Sequence, residues 1–121
     1  MIEMAQTKES EKVICPRFEQ TFSILGKKWT GLIIDVLLDG PRRFKDLSQA
    51  IPGVSDRVLV ERLKELEEEE IVTRDLDDTC DIRSGYRLTA KGKALRNVMN
   101  EVQEWANQWI CDTELNNLND R

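Results

Sequence analysis

Pro52 and Gly53 sit between two helical patterns, with Ser55 just beyond them, and this corner constrains the fold more than any other feature. Proline and glycine interrupt a helix, and a serine in that place accepts a backbone N–H that the first turn leaves unpaired. A second helix is therefore predicted to begin after Ser55. Along it Leu59, Leu63 and Leu66 recur at helical spacing, which Glu70 continues, with Val58 and Arg62 on the flanks. The three leucines form the predicted buried stripe. Arg57, Val60, Glu61 and Lys64 fall on the opposite face, toward whatever the helix reads. The helix before the corner is shorter and offers Phe44, Leu47 and Ile51 to the same core.

A hairpin is expected next. Ile71-Val72-Thr73-Arg74 has β-branched character, Tyr86-Arg87-Leu88 forms a second short run, and the polar LDDTCDIRSG between them ends on Gly85, available for a special backbone angle. Helix, turn, helix and hairpin, in that order, make a winged helix-turn-helix: mainly α, with a small β-hairpin wing. Without the preceding helices, a solvated hairpin that merely completes the sheet would be the simpler reading.

The 121 residues suit one domain with a modest core. Net charge is −5, which argues against a polyanion partner until its distribution is considered. From Arg42 to Lys64 there are six basic and three acidic residues, a local +3; from Glu65 to Asp81 nine acidic residues oppose Arg74 alone, a local −8. The end of the second helix would have to project away from phosphate. Charges separated by more than roughly 10 Å are largely screened at moderate salt, so the acidic run weakens long-range attraction without forbidding docking.

Histidine is absent, which removes the usual general base and the commonest transition-metal ligand. Cys15, Cys80 and Cys111 lack CxxC spacing and do not read as a zinc site; no cofactor or metal is expected. The first 14 residues contain no signal-like apolar run and no stretch approaches a membrane span, so a cytoplasmic location with reduced thiols is expected, and no membrane partner.

Residues 1–13 read as a flexible segment, 14–112 as the folded domain and 113–121 as a flexible tail. Within the domain the helix-turn-helix spans about 44–70, the wing about 71–88 and a terminal helix about 89–110. Cys15 and Pro16 open the first helix, with Phe18, Phe22 and Leu25 apolar and Gly26 at its end. The partial positive charge of a helix N-terminus, with Arg17 adjacent, favours a thiolate at Cys15; a small buried residue whose thiol does nothing is the alternative. Trp29, Leu32, Ile33, Val36 and Leu37 are the predicted stripe of the next helix, which Gly40 and Pro41 end. Thr89 is the predicted cap of the terminal helix, where Leu95, Val98, Met99, Val102, Trp105, Ala106 and Trp109 follow helical spacing. So much apolar surface on a small domain needs a partner: folding back on its own domain covers some of it, and the first helix of a second copy suits the rest.

These blocks resemble the HxlR-type branch of the MarR-like winged-helix transcriptional regulators. The matching stretches are Cys15-Pro16, LGKKW (25–29), GPRRFKDL (40–47), IPGVS (51–55), LKELEEEEIVTR (63–74), YRLTAKG (86–92) and Trp105-Ala106, in the family's order and spacing. The resemblance implies a homodimer, paired through its terminal helices, that binds a double-stranded DNA operator, commonly as a repressor. It also implies sensing of oxidants or electrophiles by a cysteine where Cys15 stands.

Each residue then has an expected role. Arg57, in the first turn of the second helix, and Lys64 are assigned to the major groove, where an arginine bridges guanine O6 and N7. Ser55 suits a phosphate at a helix N-terminus. Arg42, Arg43 and Lys45 are expected backbone contacts, the two arginines also forming a short strand beside the wing, and Arg83 is assigned to a minor groove; surface charge alone is the alternative for Arg42 and Arg43. Asp56 and Glu61 are discordant: they either orient an arginine, accept from a cytosine amino group, or repel DNA. Phe18, Phe22, Val98, Val102, Trp105 and Trp109 are the expected dimer interface, and two-fold pairing implies a palindromic site. Cys111 closes the interface helix, so Cys15 of one subunit is expected to face Cys111 of the other. Oxidation to a sulfenic acid and then an intersubunit disulfide is one route, and alkylation of Cys15 by an electrophile such as a quinone the other. Cys80, among Asp77, Asp78 and Asp81, ranks least reactive. Three further readings are a same-fold regulator controlled by a non-covalent ligand, a winged helix that binds protein, and a thiol enzyme. The last is disfavoured, because neither histidine nor a resolving CxxC is present.

Overall fold

The computed structural model describes residues 12–75 and 85–111. In chain order these form helices α1 (Pro16–Leu25) and α2 (Thr30–Leu38), strand β1 (Arg42–Arg43), helices α3 (Phe44–Ala50) and α4 (Asp56–Glu68), strands β2 (Val72–Asp75) and β3 (Gly85–Leu88), and helices α5 (Ala90–Lys93) and α6 (Arg96–Trp109). Most of the two expected flexible ends, and the hairpin tip with Cys80 and Arg83, lie outside the described residues. The architecture is a winged helix-turn-helix, as the order of signals predicts. None of the described helices is long and apolar enough to cross a membrane.

The corner forms as its residues dictate. Gly53 adopts φ +91°, a left-handed conformation that glycine takes without a Cβ clash. The Ser55 hydroxyl accepts the Val58 N–H at 3.2 Å and caps α4. Leu59, Leu63 and Leu66 are then at most 1 % exposed, packed with Leu47 and Ile51 of the preceding segment and with Ile33, Ile34 and Leu37 of α2. Full burial of each such side chain contributes about 1.5–3 kcal/mol, so α4 is held mainly by that stripe.

The far end of α4 closes in a way that sequence spacing did not suggest. Glu70 does not continue the helix; it takes φ +62°, the Glu70 N–H donates to the Glu67 carbonyl at 2.9 Å, and the Ile71 N–H donates to the Leu66 carbonyl at 2.9 Å. This is a Schellman ending with glutamate where glycine is usual, and Ile71 packs into the core beside Leu66. The chain then passes into β2, which pairs antiparallel with β3 in the register Val72↔Leu88 through Asp75↔Gly85. β1 pairs on the other edge of β3, Arg42↔Tyr86 and Arg43↔Gly85, giving the sheet order β1-β3-β2. Gly85 is an ordinary strand residue; among the described glycines only Gly40 and Gly53 have positive φ. Tyr86 is buried, and this burial pushes its phenol above the ordinary value of 10.0, while the Arg74 guanidinium, 5.3 Å from the ring centre, works against the shift.

Two further expectations are corrected. The buried stripe of α2 is Thr30, Ile33, Ile34 and Leu37, whereas Leu32 is 50 % exposed. The helix sequence TGLIIDVLL is apolar on nearly every side, so periodicity does not define its inner face. The predicted single helix over 89–110 is broken: Thr89 caps the one-turn α5, and α6 starts only at Arg96. The break follows from what α5 holds. Gly92 is buried so tightly that a Cβ there would overlap the Ile71 carbonyl. Around it the Thr89 hydroxyl donates to the Glu70 carbonyl at 2.6 Å and the Lys91 ammonium to the Glu69 carbonyl at 2.7 Å. α5 therefore satisfies carbonyls left open at the end of α4, while α6 is tied to α2 instead, its Arg96 guanidinium donating to the Leu38 carbonyl at 3.1 Å.

Candidate nucleic-acid interface and thiol sites

The α4 leucines fix which side of that helix faces outward. Arg57, Val60, Glu61 and Lys64 are all exposed, and among the described residues Arg57 and Lys64 are in no ion pair. At ~1.5 Å per residue these two cations stand roughly 10 Å apart along the axis. That distance is about three base steps of duplex at ~3.4 Å each. Glu61 lies between them with its side chain 58 % exposed and its Oε1 3.8 Å from Arg62 Nη1.

The discordant Asp56 serves a local structural purpose. The Ser48 hydroxyl donates to its Oδ1 at 3.1 Å and ties α3 to the first residue of α4. Arg43 and Lys45 are exposed on the same side of the sequence corner, Arg43 loosely paired with Asp46 at 3.7 Å. Arg42 is different. Its guanidinium turns back onto the carbonyls of Pro41 at 3.0 Å and Gly40 at 3.3 Å, so part of its donor capacity closes its own loop. Arg83 falls outside the described residues.

One cation belongs to no expected contact. Arg62 sits on the flank of α4 with its side chain only 19 % exposed; its Nε–H donates to the Lys28 carbonyl at 3.0 Å. Its place beside the leucine stripe was legible, and that flank position is the signal that it faces the protein.

Cys15 is the N-cap of α1, half-buried, with its carbonyl accepting the Glu19 N–H at 3.0 Å and Pro16 opening the helix. Cys111 is exposed just beyond α6. Both are free thiols. Between them in sequence lies an unfilled apolar face: Phe18 and Phe22 form an edge-to-face pair at 5.0 Å, and they, Val98, Val102, Trp105 and Trp109 are all between 45 and 64 % exposed. Neither α1 nor α6 has a buried residue. An apolar cleft lined by Thr21, Ile24, Leu25, Ile71, Lys91 and Leu95 measures about 120 Å³, and a larger, more polar one lined by Glu67, Glu70, Val72, Thr73, Thr89, Ala90 and Lys91 measures about 400 Å³.

Comparison with known proteins agrees with this arrangement. YodB of Bacillus subtilis (strain 168), an HTH-type transcriptional regulator, is 48 % identical over 107 residues, which are 84 % of this chain and 96 % of YodB. The reduced form of YodB superposes with a TM-score of 0.72 at 50 % identity, covering 81 % of this chain and 96 % of that one. Quinone-bound YodB gives 0.69 at 51 % identity, covering 79 % and 100 %. The model of the HxlR-like helix-turn-helix family matches residues 24–114. A capped reading helix, a hairpin wing and this degree of likeness together make the chain a member of the HxlR-like helix-turn-helix family of transcriptional regulators.

Proposed function

We propose that this regulator is a homodimeric repressor of a palindromic operator, released by oxidants or electrophiles that react with Cys15. The observation that carries the reading is the pairing of an outward Arg57/Lys64 face on α4 with a cysteine at the N-terminus of α1, a helix whose apolar side is uncovered. YodB, half identical to this chain, has been solved both reduced and with quinone bound, which supports the same chemistry here.

In a pair, the Phe18/Phe22 side of one α1 lies against the Val98–Trp109 side of the partner's α6. Two copies of α4 then present Arg57 to major grooves about 34 Å apart. Arg57 reads a guanine edge, Lys64 supports it, Ser55 and the first N–H groups of α4 hold a phosphate, and Arg43 and Lys45 contact the backbone. Arg42 contributes with the donors left after its loop contacts, and Arg83 enters from the wing. Such a protein works beside its DNA in the cytoplasm.

A peroxide-type oxidant transfers one oxygen to the Cys15 sulfur and is itself reduced; the sulfenic acid so formed condenses with the Cys111 thiol of the partner and releases water. An electrophilic quinone adds to the Cys15 sulfur instead, and the ring takes up the proton.

The test is a gel shift with the duplex upstream of the protein's own gene, with and without diamide. The untreated protein retards the duplex, diamide abolishes the band, and a Cys15→Ser variant keeps it. Identical behaviour of wild type and Cys15→Ser on both the DNA gel and a non-reducing protein gel rejects the thiol route. No retarded band at low or moderate salt rejects the DNA reading and favours a protein-binding winged helix. In the same assay Arg57→Ala loses preference for that duplex over random DNA by about tenfold or more, and loses less in general affinity. Equal weakening on both duplexes rejects Arg57 as a base reader.

A further inference from the structure

The α1–α2 corner grips the reading unit at three points. The Arg62 Nε–H donates to the Lys28 carbonyl at 3.0 Å across 34 residues of sequence. Lys27 Nζ meets Glu65 Oε2 at 3.1 Å, and Arg62 Nη1 shares that carboxylate at 3.4 Å. Trp29 reaches the turn before α4: a Cβ built on Gly53 would stand 3.4 Å from its ring edge.

The corner itself is sharply set. Trp29 is the N-cap of α2 at φ +82°, a left-handed conformation that a bulky residue holds only where its surroundings impose it. The Lys28 carbonyl accepts no backbone N–H among the described residues, since the first bonds of α2 go to Lys27 and Trp29. Arg62 is thus what satisfies it. Beyond this corner α1 is loosely held: no residue of it is buried. Ten helical residues make α1 a rod roughly 15 Å long, with Cys15 at one end and this corner at the other.

We propose that Arg62, assisted by Glu65, is a positioning residue that transmits the posture of α1 to α4, so that a change at Cys15 reaches the DNA-reading face through the Lys27–Trp29 corner. The inference rests on the proposed thiol control and adds its route. The guanidinium suits this role for a physical reason: its Nε–H and Nη1 hold a carbonyl and a carboxylate at once, in a rigid plane. A lysine in its place keeps the charge but loses that fork. Arg62 is accordingly a basic residue of the reading helix that does not contact DNA.

The experiment uses full-length protein in a Cys80→Ser, Cys111→Ser background, so that N-ethylmaleimide modifies only Cys15. Two readouts are taken. One is the ratio of affinity for the upstream duplex before and after modification. The other is amide hydrogen exchange in residues 56–68, measured without DNA. With Arg62 present, modification lowers affinity about tenfold or more, a usual size for coupling between sites, and alters exchange in α4. Arg62→Ala and Arg62→Lys both bring the ratio toward one and confine the exchange change to α1. Rescue of the ratio by Arg62→Lys overturns the proposal, because charge alone would then suffice. An unchanged ratio in Arg62→Ala overturns it too, even where that variant is less stable. If modification lowers affinity with no change in α4 exchange, the thiol reading stands and this route is rejected. If modification changes neither, control by alkylation of Cys15 fails and the route falls with it, whereas the disulfide is judged by the diamide test above.

Discussion

Helices α4 and α6 are close in length, 13 and 14 residues, and both carry an apolar stripe, yet they end in opposite circumstances. Three leucines of α4 are essentially sealed; no residue of α6 is buried. Even the best-placed side chains in and just before it, Leu95, Met99 and Ala106, are only half-buried. The contrast teaches that an amphipathic pattern states which side of a helix seeks cover, without stating where the cover comes from. For α4 it comes from α2, α3 and the start of β2. For α6 no described residue seals the apolar side, and in the proposed pair the partner's Phe18 and Phe22 would match it in kind.

The largest expected effect tests the sealed side. Leu63→Ala lowers unfolding free energy by about 3 kcal/mol, read from the denaturant midpoint, because a cavity opens among atoms with no room to close it. A smaller but still severe loss belongs to the joint between the two helices. Gly92→Ala drives a methyl against the Ile71 carbonyl and costs roughly 2 kcal/mol or more, with melting still cooperative. A loss below about 0.5 kcal/mol would mean that α5 is not fixed to the end of α4 as described.

The third prediction addresses the open side. Trp105→Ala weakens self-association by about tenfold or more, seen by sedimentation, because a large aromatic at the centre of an interface is a usual hot spot. At concentrations where the chain is single, its melting is expected to match the parent. Should Trp105→Ala and Leu63→Ala destabilise the single chain alike, the two helices would not differ as argued. The smallest effect sharpens the picture of α4 alone. Glu70→Gly relieves a left-handed non-glycine residue and raises stability by about 0.5–1 kcal/mol; a decrease would show that the Glu70 side chain does more than end the helix.

The exposed face of α4 was legible in the sequence because the buried one was unambiguous: leucines at 59, 63 and 66 leave Arg57 and Lys64 nowhere to point but out. The same logic failed for α2, where Leu32 and Ile34 are chemically alike and only the packing of Thr30 on the core decides between them. The turn at Ser55 was legible from capping chemistry. The turn at Glu70 was not, since nothing in a run of glutamates marks the one that adopts positive φ; the demand comes from Ile71 entering the core. The role of Asp56 and the partner of Arg62 stayed opaque for a related reason. A charged side chain on a helix flank reveals its role only when the neighbouring segment, Ser48 or Lys28, is known to lie beside it.

The two residues between α5 and α6, Ala94 and Leu95, have a consequence for evolution. The short helix is fastened to the end of α4, while the long one begins at Arg96, after these two residues. In a paired molecule, that dipeptide would set the span between the two reading helices independently of the residues that touch bases. Substitutions there would let descendants of one regulator shift to half-sites of different separation while reading the same letters.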